Sequence, residues 1–163
     1  MKVEHINPFI KAVGNTFSTM LAAEAYRGDL TLGNSKARQY PISGLIGLSG
    51  KASGMVVINL SVEVALKAAS AMLMEEKNEI DEDVIDAVGE LANVIAGQAK
   101  TELEHYELSV SLPNVVTGDN HEIRFPSSAA PLVVPFKTDF GPLRLEVGFE
   151  ANTSALPAEP AEV

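Results

Sequence analysis

The chain has 163 residues, a formal net charge of -10 and no cysteine. That length fits one domain, able to bury roughly two-thirds of the surface its unfolded form exposes. The missing cysteine excludes disulfides, thiolate metal sites and cysteine nucleophiles, and the negative charge argues against nucleic acid and anionic membranes as partners.

The N-terminal segment carries Lys2, Glu4 and His5 and lacks the apolar centre of a signal peptide. No apolar run reaches the roughly 18–20 residues of a membrane span, so a soluble cytoplasmic protein is expected. Phe9, Ile10, Val13, Phe17, Met20 and Leu21 recur at spacings of three and four. That is helix period, and it predicts a helix over residues 7–25 with Asn7 as cap and Pro8 at the first helical position. Leu30 and Leu32 alternate with polar neighbours as in a short strand, and residues 34–41 read as a loop. Residues 42–50 and 54–60 are apolar, β-branched runs joined at Lys51-Ala52-Ser53, a hairpin pattern. Ser61 is placed to cap a helix running to Met74, with Val62, Leu66, Ala69 and Leu73 on one face.

After the acidic stretch 75–83 comes the longest helix, over residues 82–105. Asp81, Glu82 and Asp83 at its start suit the positive end of the helix dipole. Residues 108–112 and 114–117 are strand-like, interrupted by Pro113, and residues 127–131 read as a loop. Residues 132–138 and 143–149 predict a second hairpin turning at Asp139-Phe140-Gly141-Pro142. Residues 1–150 thus form a single α/β (α+β) domain, two layers with helices on a mostly antiparallel sheet, and residues 151–163 a disordered Ala/Pro/Glu tail.

Phe9-Ile10-Lys11-Ala12-Val13-Gly14 aligns with Val84-Ile85-Asp86-Ala87-Val88-Gly89, and Tyr26 with Tyr106. Each half then supplies strands and a hairpin, a plan that suits two copies about a pseudo-twofold axis. Chance similarity between two amphipathic helices explains the short match as well.

One constellation on the long helix carries chemical promise. Asp86, Glu90 and Asn93 stand at spacings of four and three, on one helical face. Val84, Val88, Leu91 and Ile95 form a separate apolar stripe, so the polar triplet faces solvent or a partner. A solvated polar face near a helix start accounts for the acids by themselves. Asn93 and Gly89 sit less easily with that reading: asparagine competes with the backbone for hydrogen bonds, and a mid-helix glycine costs ~1 kcal/mol against alanine. Gly89 suggests that another molecule must come close there.

The pattern Asp86-x3-Glu90-x2-Asn93, with Pro113 about twenty residues later, resembles the signature of the CheC/CheX/FliY phosphatases. His5-Ile6-Asn7-Pro8-Phe9 resembles the start of CheX proteins, and Gly89-Glu90-Leu91-Ala92-Asn93-Val94-Ile95-Ala96-Gly97 resembles their central helix. The resemblance implies a phosphatase acting on the aspartyl phosphate of a CheY-type response regulator. It implies that Glu90 pairs with a receiver lysine and that the Asn93 amide orients the attacking water. Phosphoryl transfer is mostly positioning and electrostatics, and an amide both donates and accepts, so the assignment is chemically sound. The magnesium ion then belongs to the receiver, and this chain binds no cofactor. Asp86, Gly89 and Pro113 are supporting residues. Lys11, Asn15 and Ser18 replace the motif in the first copy, which favours one working site, as in CheX rather than CheC. The resemblance also implies a homodimer, for which residues 143–149 are a candidate exposed edge strand.

A non-catalytic receiver-binding or flagellar-switch-like scaffold is the rival reading, and a pure scaffold has no need of an intact Glu90/Asn93 pair. A metal-dependent hydrolase on Asp86 and Glu90 is a third. Residues 44–51 lack the phosphate-loop pattern, and His5, His105 and His121 lack metal-ligand spacing. Met20, Met72 and Met74 read as core or interface packing.

Overall fold

The structure is a computed structural model that describes residues 3–33 and 38–152. After a 3-10 turn at Val3–His5 come α1 (Asn7–Met20), β1 (Ala25–Arg27), β2 (Thr31–Leu32), β3 (Ile42–Ser49) and β4 (Ala52–Leu60). Then follow α2 (Val62–Leu73), α3 (Glu82–Thr101), β5 (Ser109–Val110), β6 (Asn114–Thr117), β7 (Leu132–Thr138) and β8 (Gly141–Ala151). All strand pairs are antiparallel, in the order β1-β7-β8-β4-β3-β5, with β2 also on β7 and β6 also on β3. That order is unchanged when β1–β4 exchange places with β5–β8.

Period-2 alternation places Ile42, Ile46 and Leu48 of β3, Val56, Ile58 and Leu60 of β4, and Leu143, Leu145 and Val147 of β8 in one core with the three helices. α3 lies between α1 and α2 and packs on β3. Gly44 permits this approach: a Cβ there would stand 2.9 Å from the Ala92 Cβ. Ser61 caps α2 as expected, its hydroxyl accepting from the Val64 amide. Asp81 caps α3, accepting from the Val84 amide at 3.0 Å. Lys77, 2.6 Å away, and that amide hold the Asp81 carboxyl below the usual carboxylate range. A lowered folded pKa contributes stability that is complete above the unfolded value and lost as the pH falls through the folded one. The melting-temperature gap between wild type and Asp81→Asn is therefore expected to be widest above about pH 4 and to close on acidification.

Several local expectations are corrected. α1 ends at Met20, not near residue 25, because Ala22 takes a left-handed conformation (φ 49°) and the chain turns into β1. Its N-cap is Ile6, which puts Asn7 and Pro8 inside the first turn. α3 ends at Thr101 and is followed by a 3-10 turn at Glu104–Tyr106. The buried face of α2 is Val64, Ala65, Ala68 and Ala69, whereas Val62 and Leu73 are exposed. Small alanines let α2 pack closely, which leaves the larger residues outside. Met72 packs against the core, but Met74 is 93% exposed and Met20 is also exposed. Residues 143–149 are no edge strand: β8 lies between β7 and β4, and the edges are β1 with β2 and β5 with β6. The proposed disordered tail, apart from Ala151 and Asn152, falls outside the described residues; Ala151 ends β8.

The far face of the sheet is covered as well. The segment 118–131 crosses it, burying Ile123 and Ala129. Beneath it Arg38 and Glu146 form an ion pair at 2.8 Å, each side chain 2% exposed. Arg38 also donates to the Ile123 carbonyl, and the Ser43 hydroxyl lies 2.7 Å from the His121 ring nitrogen. Asn59 ties Tyr40, Ile42 and Ser43 together.

Candidate functional site

α3 carries the predicted constellation as a rigid twenty-residue helix. Its buried side is Val84, Ala87, Val88, Leu91, Ala92, Ile95, Ala96 and Ala99. Asp86 and Glu90 project into solvent, and Asn93 is half-buried on the same face. Among the described residues, none of these three side chains has a hydrogen-bond or ion-pair partner. An unpaired carboxylate and amide on a fixed helix are free to meet an external group without first breaking an internal bond.

Gly89 has an internal explanation, contrary to the expectation of an incoming molecule. It is buried, and a Cβ there would lie 3.3 Å from Pro113 Cγ and 3.5 Å from Val115 Cγ2. The connection between β5 and β6 thus packs on α3 beside Glu90, and Pro113 holds the helix against that edge of the sheet. Gly89→Leu would push this connection away, so a lower melting temperature is expected from thermal denaturation.

α1 runs antiparallel to α3, and the two form a groove of about 540 Å³. Asn93, Gly97 and Gln98 line one wall, and Lys11 and Asn15 the other. Lys11 closes the far end through a 2.7 Å ion pair with Glu102. Both partners are well exposed, so that pair contributes little to stability. Asn93 therefore joins two surfaces, the outer face with Glu90 and the groove with Asn15. Asp86, Glu90 and Ser18 do not line the groove. No three His, Asp or Glu side chains are grouped to hold a metal ion among the described residues, and no helix there is long and apolar enough to cross a membrane.

The family model for chemotaxis phosphatase CheX matches residues 42–137, a span holding Glu90, Asn93 and Pro113. The CheY-P phosphatase CheX of Thermotoga maritima is 31% identical over 127 residues, covering 76% of this chain and 82% of the relative. The chain belongs to the CheX family. Its fold agrees closely with a CheC-like protein of Shewanella sp. PV-4: TM-score 0.84 and 35% identity over 93% of this chain and all of the other. It also matches the CheX chain in a CheX–CheY–BeF3–Mg2+ complex from Borrelia burgdorferi, with TM-score 0.76 and 26% identity over 91% of this chain and 99% of that one. Glu90 and Asn93 thus lie within the matched span, on a helix whose polar face is open.

Proposed function

We propose that this protein hydrolyses the aspartyl phosphate of a CheY-type response regulator. The observation that carries the reading is the Glu90/Asn93 pair, presented outward on α3 without internal partners in a chain of the CheX family. The Borrelia relative forms a complex with CheY holding BeF3 and Mg2+, a stand-in for the phosphorylated receiver. In this reading α3 docks on the receiver's phosphorylation site. The Asn93 amide orients water for in-line attack on phosphorus, accepting from the water or donating to a phosphoryl oxygen. The water oxygen bonds to phosphorus and its protons stay with the released inorganic phosphate, the aspartyl oxygen leaves as carboxylate, and a magnesium ion held by the receiver would neutralise charge on the phosphoryl oxygens. Glu90 pairs with a receiver lysine and fixes the register. Asp86 and Pro113 shape the site without touching the reacting atoms, and the working assembly is a homodimer.

Two outcomes separate docking from chemistry. Glu90→Ala is expected to raise the concentration of this protein needed for half-maximal dephosphorylation by about tenfold, the loss of one charge-assisted contact. The maximal rate should change less. A variant with wild-type concentration dependence and rate would remove Glu90 from the site.

A further inference from the structure

The groove between α1 and α3 contains a second interior glycine, and this one has no internal explanation. Gly97 follows Asn93 by four residues, so Glu90, Asn93 and Gly97 share one helical face. A Cβ at Gly97 would meet nothing within 4 Å, unlike Gly89 against Pro113 or Gly44 against Ala92. Glycine in a helix interior is disfavoured against alanine, and nothing packed inside the chain requires it here. Around it the amides of Asn15, Asn93 and Gln98 line the groove, and their side chains have no hydrogen-bond partner among the described residues. Each amide offers both a donor and an acceptor, the complement of an exposed peptide N–H and C=O. Among the described residues the one cation lining the groove, Lys11, is already paired with Glu102. The groove is thus suited to neutral polar main chain rather than to a free anion, and it begins at the residue assigned to the chemistry.

Resting on the phosphatase reading above, we propose that the α1/α3 groove seats a main-chain segment of the phosphorylated receiver, with Gly97 as the position that lets it approach α3. Asn15 and Gln98 are positioning residues that bind this segment and hold Asn93 in register with the phosphoryl group.

The test is the concentration dependence of receiver dephosphorylation, paired with titration of the same receiver loaded with beryllofluoride and Mg2+. Gly97→Leu is expected to raise the half-saturating concentration and the dissociation constant at least tenfold. Its melting temperature should not fall. Gly97→Ala, which adds one methyl group to open space, should shift either constant far less. A Gly97→Leu protein that binds and turns over like wild type overturns the proposal. Should leucine lower the melting temperature, the double variant Asn15→Ala/Gln98→Ala, which removes no internal hydrogen bond among the described residues, decides. A severalfold higher half-saturating concentration supports the groove contact, and no change overturns it. Failure of the wild type itself to accelerate dephosphorylation would instead bring down the phosphatase reading and this inference with it.

Discussion

Replacing Asn93 with alanine is expected to cut the maximal rate of receiver dephosphorylation by about 100-fold or more, the scale seen when one preorganised donor is removed from a transition state. That corresponds to about 2.7 kcal/mol of lost transition-state stabilisation. The structure explains why the loss should be confined to chemistry. The Asn93 side chain makes no hydrogen bond within the chain among the described residues, so its removal leaves no orphaned internal partner. Alanine is also the better helix former at a mid-helix position. Binding to a beryllofluoride-loaded receiver should therefore persist, with a dissociation constant within a few-fold of wild type and an unchanged melting temperature. Rapid-mixing measurement of acyl-phosphate decay at saturating variant gives the rate. A variant with the full wild-type rate would transfer the water-orienting role to another group.

The second large effect is expected far from the site. Glu146→Ala should destabilise the fold by about 3–5 kcal/mol, because it removes the buried carboxylate that faces the Arg38 guanidinium. The pair is 2% exposed on both sides and 2.8 Å apart, although the Arg38 Nε–H is not aligned on the facing carboxylate oxygen. Burial pushes the Glu146 carboxyl up and the Arg38 guanidinium down, while each partner's charge pulls the other back toward its ionised form. Desolvation is the leading influence on both, so removing one member costs more than exchanging both for apolar side chains. Exchanging both residues at once, Arg38→Met with Glu146→Leu, should recover most of the stability lost by Glu146→Ala. Urea denaturation followed by circular dichroism measures both. Equal stability of wild type and Glu146→Ala would show that the pair does not carry this part of the fold.

How much of this was legible in the sequence depended on whether the deciding contacts were local. The outward face of α3 was readable because Asp86, Glu90 and Asn93 follow helix period against a clean apolar stripe. The two long hairpins were readable from β-branched runs and their turns, and β3 with β4 and β7 with β8 pair accordingly. Where tertiary packing decided, the reading failed. Ala22, Ala23 and Ala25 are good helix formers, yet the chain breaks at Ala22 because Ala23 returns its amide to the Phe17 carbonyl and the next residues pair with β7. On α2 the predicted face was half right: Ala69 is buried and Leu66 packs on the core, but Val64, Ala65 and Ala68 take the inner positions that Val62 and Leu73 were expected to fill. In β8, Arg144 and Glu146 share the face opposite Leu143, Leu145 and Val147. The segment 118–131 covers that face, and no local pattern announces a covering that comes from elsewhere in the chain. Gly89 and Gly97 looked alike in sequence; only the distance to Pro113 separates a packing glycine from an open one.

The central claim is that this chain removes phosphate from a CheY-type receiver, and the most direct measurement is the lifetime of the receiver's acyl phosphate with and without the protein. The account predicts a lifetime that shortens as wild-type protein is added, levels off at saturation, and requires the receiver's magnesium. An unchanged lifetime across saturating concentrations, with binding to the beryllofluoride-loaded receiver intact, would contradict it and leave a receiver-binding module without catalysis.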